Sequence, residues 1–167
     1  RREPVIWPCT DPKGPGEAVL FSRTFPRGLG KLHPAEFAPP QELPDTEYPY
    51  VLNTGRMLQH WHTGTMTRRA KALDEIAPEP FVEIHPEDAA ALEIAAGEPV
   101  RVTSRRGSLV APARITSRTG RGSVFMPFHF REAAANLLTN DALDPVAKIP
   151  EFKYCAVRLE KANSGAG

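Results

Sequence analysis

The chain of 167 residues fits one domain, and with 41% of them hydrophobic it can bury a core. Basic and acidic side chains number 21 and 20, which excludes an overall pull toward nucleic acid or anionic lipid and makes any basic site a local one. No apolar run is long enough to span a bilayer. Cys9 and Cys155 form no Cys-x-x-Cys pair, which argues against structural zinc and for a reducing compartment.

The N-terminal stretch RREPVIWPCTDPKGPG has neither an apolar h-region nor a small-residue cleavage site, so it does not read as a signal peptide. It lacks an initiator Met and starts abruptly, as a fragment of a longer chain would. Ten of the 18 prolines precede Val51. Residues 1–46 hold no sustained period and read as an extended arm that needs another surface to lie on. The aromatics in WPC, LFSRTFPRG and LGKLHPAEF fit that reading.

From residue 47 to residue 161 the pattern is that of a folded unit. YPYVLNTG is a short β-type run ending at a glycine, and PFVEIHP alternates as a half-buried strand does. Pro86, then Glu87 and Asp88, then AAALEIAAG ending at Gly97, predict a short helix. PVRVTSRRGSLVAPARIT predicts a β-hairpin with SRRG as its turn, and GSVFMPF a further strand. REAAANLLT is a short helix or helical turn, YCAVRLE alternates again, and residues 162–167 form a tail. Six short strands without regular crossover helices disfavour a doubly wound sheet and favour a small closed barrel, which leaves no exposed edge.

HWHTGTMTRR, His60 to Arg69, carries the densest chemistry. His60 and His62 are two apart, but no third ligand lies near them and Arg56, Arg68 and Arg69 would repel a cation, so a metal site is disfavoured. A plain reading packs Trp61 and Met66 into the core and leaves the charges solvated. Against it stands the number of donors: Thr54, Gly55 and Arg56 follow the first strand, and His60, His62, Thr63, Gly64 and Thr65 come soon after. Glycines let a backbone approach a ligand closely, and hydroxyls and guanidinium groups bind phosphate oxygens. The loop is suited to an anion, with a phosphate ester favoured. Phe128 and His129 offer flat or polar surfaces, Asn136 an amide for a heterocycle edge, and Lys148 and Lys153 two cations flanking IPEF. Together they suggest a ligand with phosphates and a fused ring.

LNTGRMLQHWHTGTMTRR and GSVFMPFHFREAAANLLTNDALDPVAKIPEFKYCAVRLE resemble the C-terminal molybdopterin-dinucleotide-binding domain of the large molybdenum or tungsten oxidoreductases. Among these the formate dehydrogenase alpha subunit is most similar, with nitrate reductase catalytic subunits next. The likeness runs from about Trp7 to Glu160. It implies a six-stranded double-psi β-barrel, mainly β, with short helices and a Pro-rich N-terminal arm. It also implies that Thr54, Gly55, Arg56, His60, His62 and Thr63 face a cofactor's pyrophosphate and pterin ends. Gly64, Thr65 and Met66 continue that loop, and Phe128, Asn136 and Lys153 touch the cofactor from the second half.

The implied cofactor is bis-molybdopterin guanine dinucleotide, with molybdenum or tungsten. In the whole enzyme it serves formate oxidation to carbon dioxide, and an iron–sulfur cluster lies in the subunit outside this chain. The metal ligand and the cluster cysteines lie elsewhere, so no residue here is expected to be catalytic or to bind metal, and the chain alone is expected to be inert. Expected partners are the remaining domains of the subunit and electron-transfer subunits, with neither nucleic acid nor membrane insertion. Cytoplasm is the favoured location and periplasm the alternative. Two further readings stay open on the residues alone: a single-stranded RNA module using Arg56, Arg68, Arg69 and Trp61, and a barrel serving protein interaction.

Overall fold

A computed structural model describes residues 6–9, 11, 13–14 and 16–162. It divides into two compact units, 1–38 and 39–167. In the first, the described residues form no helix or strand. A Phe25–Gly28 bridge makes one tight turn, and Leu29, Leu32 and Phe37 are each more than 90% exposed.

The second unit is a closed barrel of six strands: β1 (Tyr50–Gly55), β2 (Val82–Ile84), β3 (Pro99–Thr103), β4 (Ser108–Ile115), β5 (Ser123–Pro127) and β6 (Cys155–Lys161). Around the barrel they run β1-β5-β2-β4-β3-β6. The β1·β5 and β2·β4 pairs are parallel and the other four antiparallel. Exchanging β1 with β4, β2 with β5 and β3 with β6 reproduces both the order and the directions. The barrel is thus two interlocked passes of one three-strand path, the double-psi arrangement that the resemblance implied.

Alternation along each strand decides what lies inside. Leu52, Val100, Val102, Val124, Met126 and Val157 are all fully buried, and most of their strand neighbours are half-exposed, with Pro127 and Ala156 buried as well. Register brings inside residues together: Leu52 pairs with Val124, and Val102 with both Leu109 and Leu159. Each such aliphatic side chain contributes roughly 1.5–3 kcal/mol on burial. SRRG makes the β3–β4 turn, with the Ser104 N–H donating to the Gly107 carbonyl at 2.9 Å. Residues 39–46 are tied to the barrel by Glu42, which accepts from Arg106 and, at 2.7 Å, from the Ala156 N–H.

The helical segments depart from the expectation. The helix opening at Pro86 (α2) ends at Ala91, well before Gly97. Glu93 takes the left-handed conformation (φ 55), the Ile94 N–H reaches back to the Ala89 carbonyl and the Glu93 N–H to that of Ala90. This is a Schellman closure, and its hydrophobic contact, buried Ile94, explains the early stop. Gly97 (φ 81) serves the turn into β3 instead. REAAANLLT forms two single 3₁₀ turns, Arg131–Ala133 and Ala135–Leu137. A short helix, α1 (Lys71–Ile76), was not foreseen: it has no side-chain N-cap and buries no residue, so its sequence carries little signal. The expected tail lies outside the described residues from Asn163 onward, as do parts of the N-terminal stretch.

The parallel β1·β5 pair sets the position of the functional loops. Gly55 is paired with Pro127, and the Phe128 N–H donates to the Gly55 carbonyl at 3.2 Å. Two long connections, 56–81 and 128–154, therefore leave the same end of the barrel side by side.

Candidate functional site

The HWHTGTMTRR loop is closed on itself before it meets any ligand. His60 is 1% exposed, with Nε2 at 3.2 Å from the Ala77 carbonyl and Nδ1 at 3.2 Å from Thr67 Oγ1. Thr67 Oγ1 also accepts the Trp61 N–H at 3.1 Å. These contacts agree on one pattern: Nε2–H donates to Ala77, the Thr67 hydroxyl donates to Nδ1, and Trp61 donates to the hydroxyl. The Gly64 N–H closes a turn on the Trp61 carbonyl and the Arg68 N–H another on the Gly64 carbonyl, each at 2.9 Å. Gly64 has φ 71, a backbone conformation that favours glycine, and a Cβ there would lie 3.0 Å from Arg68 Cγ, so the arginine side chain would have to give way. Gly55 is required for space alone, since a Cβ would lie 2.7 Å from the Phe125 ring.

A cleft of about 690 Å³ opens where the two long connections meet. Its first wall is Gly55, Arg56, His62 and Thr63, and its second is Phe128, Asn136, Phe152 and Lys153. The Arg56 guanidinium donates to the His62 ring (3.2 Å to Nε2) and lies 4.8 Å over the Trp61 ring. Phe128 meets Phe152 edge to face at 6.3 Å, and the Lys153 ammonium lies 5.7 Å from the Phe152 ring. Thr54 donates to the Phe152 carbonyl at 2.6 Å and so ties the second wall to the end of β1. The Asn136 amide has no hydrogen-bond partner among the described residues. The cleft combines cations suited to anionic oxygens, an amide suited to a ring edge and flat apolar surface, a combination that suits a phosphorylated heterocycle.

On the other side of the same turn lies a second cleft of about 480 Å³, lined by Thr63, Gly64, Thr65, Arg69, His129 and Arg131 among others. Arg68 borders it, held by Glu132 at 2.9 Å and Asp74 at 3.2 Å. His129 is buried between the His60 ring (4.5 Å) and the Phe130 ring (3.9 Å). Burial, with His60 and Arg68 beside it, lowers its pKa to about 4.

The residues singled out from sequence thus fall into groups. Gly55, Arg56, His62, Thr63, Phe128, Asn136 and Lys153 converge on the first cleft. Gly64, Thr65 and His129 line the second. Thr54 and His60 are buried braces whose polar atoms are engaged within the chain, at neither cleft. Lys148 (φ 58) sits in the turn closed on Asp144, also at neither. Met66 and Trp61 are 70% and 56% exposed, which contradicts the plain reading that packed them into the core. Sequence reasoning missed Thr139, Asn140, Pro150 and Phe152 in the first cleft and Arg131 and Glu132 in the second. The phenylalanine of IPEF, between the two lysines already noted, was the available signal. Among the described residues no group of three or more His, Cys, Asp or Glu could hold a metal ion, and no helix is long and apolar enough to cross a membrane.

Comparison with known proteins bears on this arrangement. The chain is 52% identical over 159 residues to the F420-dependent formate dehydrogenase subunit alpha of Methanocaldococcus jannaschii, covering 94% of this chain and 24% of that one. It is 46% identical over 156 residues to a nitrate reductase of Symbiobacterium thermophilum, covering 91% and 21%. The chain therefore spans about a quarter of the length of the curated relatives it matches. Acetylene hydratase from Pelobacter acetylenicus shares the fold, with a TM-score of 0.61 at 20% identity over 70% of this chain and 19% of that one. Residues 50–156, which hold β1 to β5, the first two residues of β6 and both clefts, match the family described as molydopterin dinucleotide binding domain, and the chain belongs to that family.

Proposed function

We propose that the chain is the cofactor-binding domain of a molybdenum- or tungsten-dependent formate dehydrogenase large subunit, and that it holds the phosphates and pterin of bis-molybdopterin guanine dinucleotide. The observation that carries this reading is the first cleft, where Arg56, Lys153 and Asn136 converge beside Phe128 in a chain of the dinucleotide-binding family. Arg56 and Lys153 neutralise phosphate oxygens, Asn136 meets a heterocycle edge, and Phe128 with Phe152 shields the cofactor from water. Gly55 allows close backbone approach, His62 and Thr63 add polar contacts, and Gly64, Thr65 and Met66 extend the loop along the ligand. His60 acts from beneath by fixing that loop, and Thr54 by fixing the second wall at Phe152. When bound, the cofactor supplies the redox-active metal for formate oxidation; this chain binds and orients it.

On this reading the chain alone is inert, and its partners are the other domains of the subunit, with an iron–sulfur cluster, and electron-transfer subunits. Cytoplasm is the proposed location. A nitrate reductase is the second reading, favoured by the 46% identical relative of that name. The test is the Arg56→Ala, Lys153→Ala double variant of the full-length subunit. Molybdenum and guanine dinucleotide content per purified protein should fall severalfold, and formate oxidation with it. Unchanged content would remove the cleft from the binding site, and activity on nitrate in place of formate would select the second reading.

A further inference from the structure

His129 is 4% exposed, and neither ring nitrogen has a hydrogen-bond partner among the described residues. An apolar ring would fill the space between His60 and Phe130 equally well, whereas an imidazole there loses its hydration without compensation. The same ring lines the second cleft, whose border carries three guanidinium groups, Arg68, Arg69 and Arg131, against the Glu132 carboxylate. Glu132 and Asp74 engage Arg68. Arg131 shares Glu132 at 3.5 Å while 92% exposed, and Arg69 has no acidic partner within 4 Å among the described residues. The cleft is therefore cationic, with a buried, unpaired polar group at its side.

We infer that the second cleft is an oxyanion site for a phosphate group, in which Arg69 and Arg131 supply charge and His129 supplies the hydrogen bond that its burial otherwise wastes. This rests on the proposed cofactor role of the loop only for what carries the phosphate, a dinucleotide or a free ion. Gly64 lies beside both groups: a Cβ there would lie 3.0 Å from Arg68 Cγ and 3.5 Å from His129 Cδ2, and the Arg68 guanidinium sits 5.2 Å over the neighbouring Phe130 ring. A phosphate that draws the Arg68 guanidinium away from Asp74 and Glu132 uncovers His129. The ring is uncharged at neutral pH, so it contributes a directional bond, and an anion beside it raises its proton affinity.

The test is an NMR titration of the 167-residue chain with inorganic phosphate and, separately, with GDP, at ionic strength held constant with sodium chloride. Saturable shifts of the Gly64 and Thr65 amides and of the His129 imidazole are expected, with the His129 pKa rising as phosphate saturates. Arg69→Gln, an exposed change that leaves the fold intact, should weaken the response about tenfold. His129→Phe, which keeps the packing, should weaken it too. Tighter binding of GDP than of phosphate at these residues assigns the phosphate to a dinucleotide, and equal binding assigns it to the free ion. No saturable shift at His129, or a response unchanged in Arg69→Gln, overturns the site. Shifts at Asn136 and Lys153 with GDP while His129 stays still would leave the proposed function standing and remove this site alone; the converse would remove the first cleft's role and keep the second.

Discussion

Replacing His60 by alanine tests whether the functional loop is held from below. The ring is 1% exposed and makes two hydrogen bonds, to Ala77 and to Thr67, that bracket the loop and the end of α1. Each bond is worth about 0.5–1.5 kcal/mol net, and stranding the Ala77 carbonyl adds a desolvation cost of about 1–3 kcal/mol. The cavity adds more, partly offset by collapse, so His60→Ala should cost roughly 3 kcal/mol overall. For a chain of this size that lowers Tm by about 6–12 °C in calorimetry. His60→Gln can keep the bond to Ala77 and should cost about half as much. Hydrogen exchange should quicken first at Gly64 and Arg68, whose amides close the loop's two turns. A loss below about 1 kcal/mol for alanine, or faster exchange in the strands with the loop unaffected, would refute the bracing role.

The lowered pKa of His129 sets a pH dependence. Between the ordinary value of 6.5 and about 4 the unfolded chain takes up a proton that the folded chain refuses. Stability from this group is therefore full above about pH 6.5 and is lost as pH falls toward 4, by roughly 3 kcal/mol in total. His129→Phe should flatten that window in urea titrations, and an unchanged slope between pH 6.5 and 4.5 would count against it. Glu42→Ala removes the acceptor for both Arg106 and the Ala156 N–H and should cost about 2–3 kcal/mol by urea unfolding. Burial raises the Cys155 thiol to about 11, so iodoacetamide at pH 8 should leave Cys155 unmodified until the chain is denatured. Gly64→Ala should destabilise the loop by about 1–2 kcal/mol through its left-handed backbone, with earlier protease cleavage between Trp61 and Arg69 as the readout.

Strand positions were legible because alternation is local: VLNTG, VRVT and YCAVRLE each show inside and outside residues within a few positions. The order in which strands pair is not written locally, since β1 meets β5 and β6 from across the chain. That part came from resemblance. Within the loop, residue type led to the expectation of an anion site, yet it could not separate His62, which lines the cleft, from His60, which is buried two positions away. The difference is made by Ala77, 17 residues downstream, and by the positive φ of His62. His129 looked like a second-rank polar contact in sequence; its unpaired nitrogens are visible only once Phe130 and His60 close around it.

The exchange symmetry of the barrel gives it two equivalent rims, one at the C-terminal ends of β1 and β5 and one at those of β2 and β4. The first carries the longer connections and the two larger clefts at this pair of rims. Its connections run to 26 and 27 residues (56–81 and 128–154), while the opposite rim manages with 14 and 7 (85–98 and 116–122). The short rim is riveted: the Gly122 N–H donates to Asp88 Oδ2 at 2.7 Å and the Thr116 N–H to the Ile84 carbonyl at 3.0 Å. Strand registration is thus secured at the end with the short connections, whose cleft beside Arg118 and Ser123, about 320 Å³, is less than half the 690 Å³ cleft of the other rim. Ligand preference can drift by lengthening or rewriting the two long excursions while the staves of the barrel stay in place, because loop-length changes cost little once the ends are fixed.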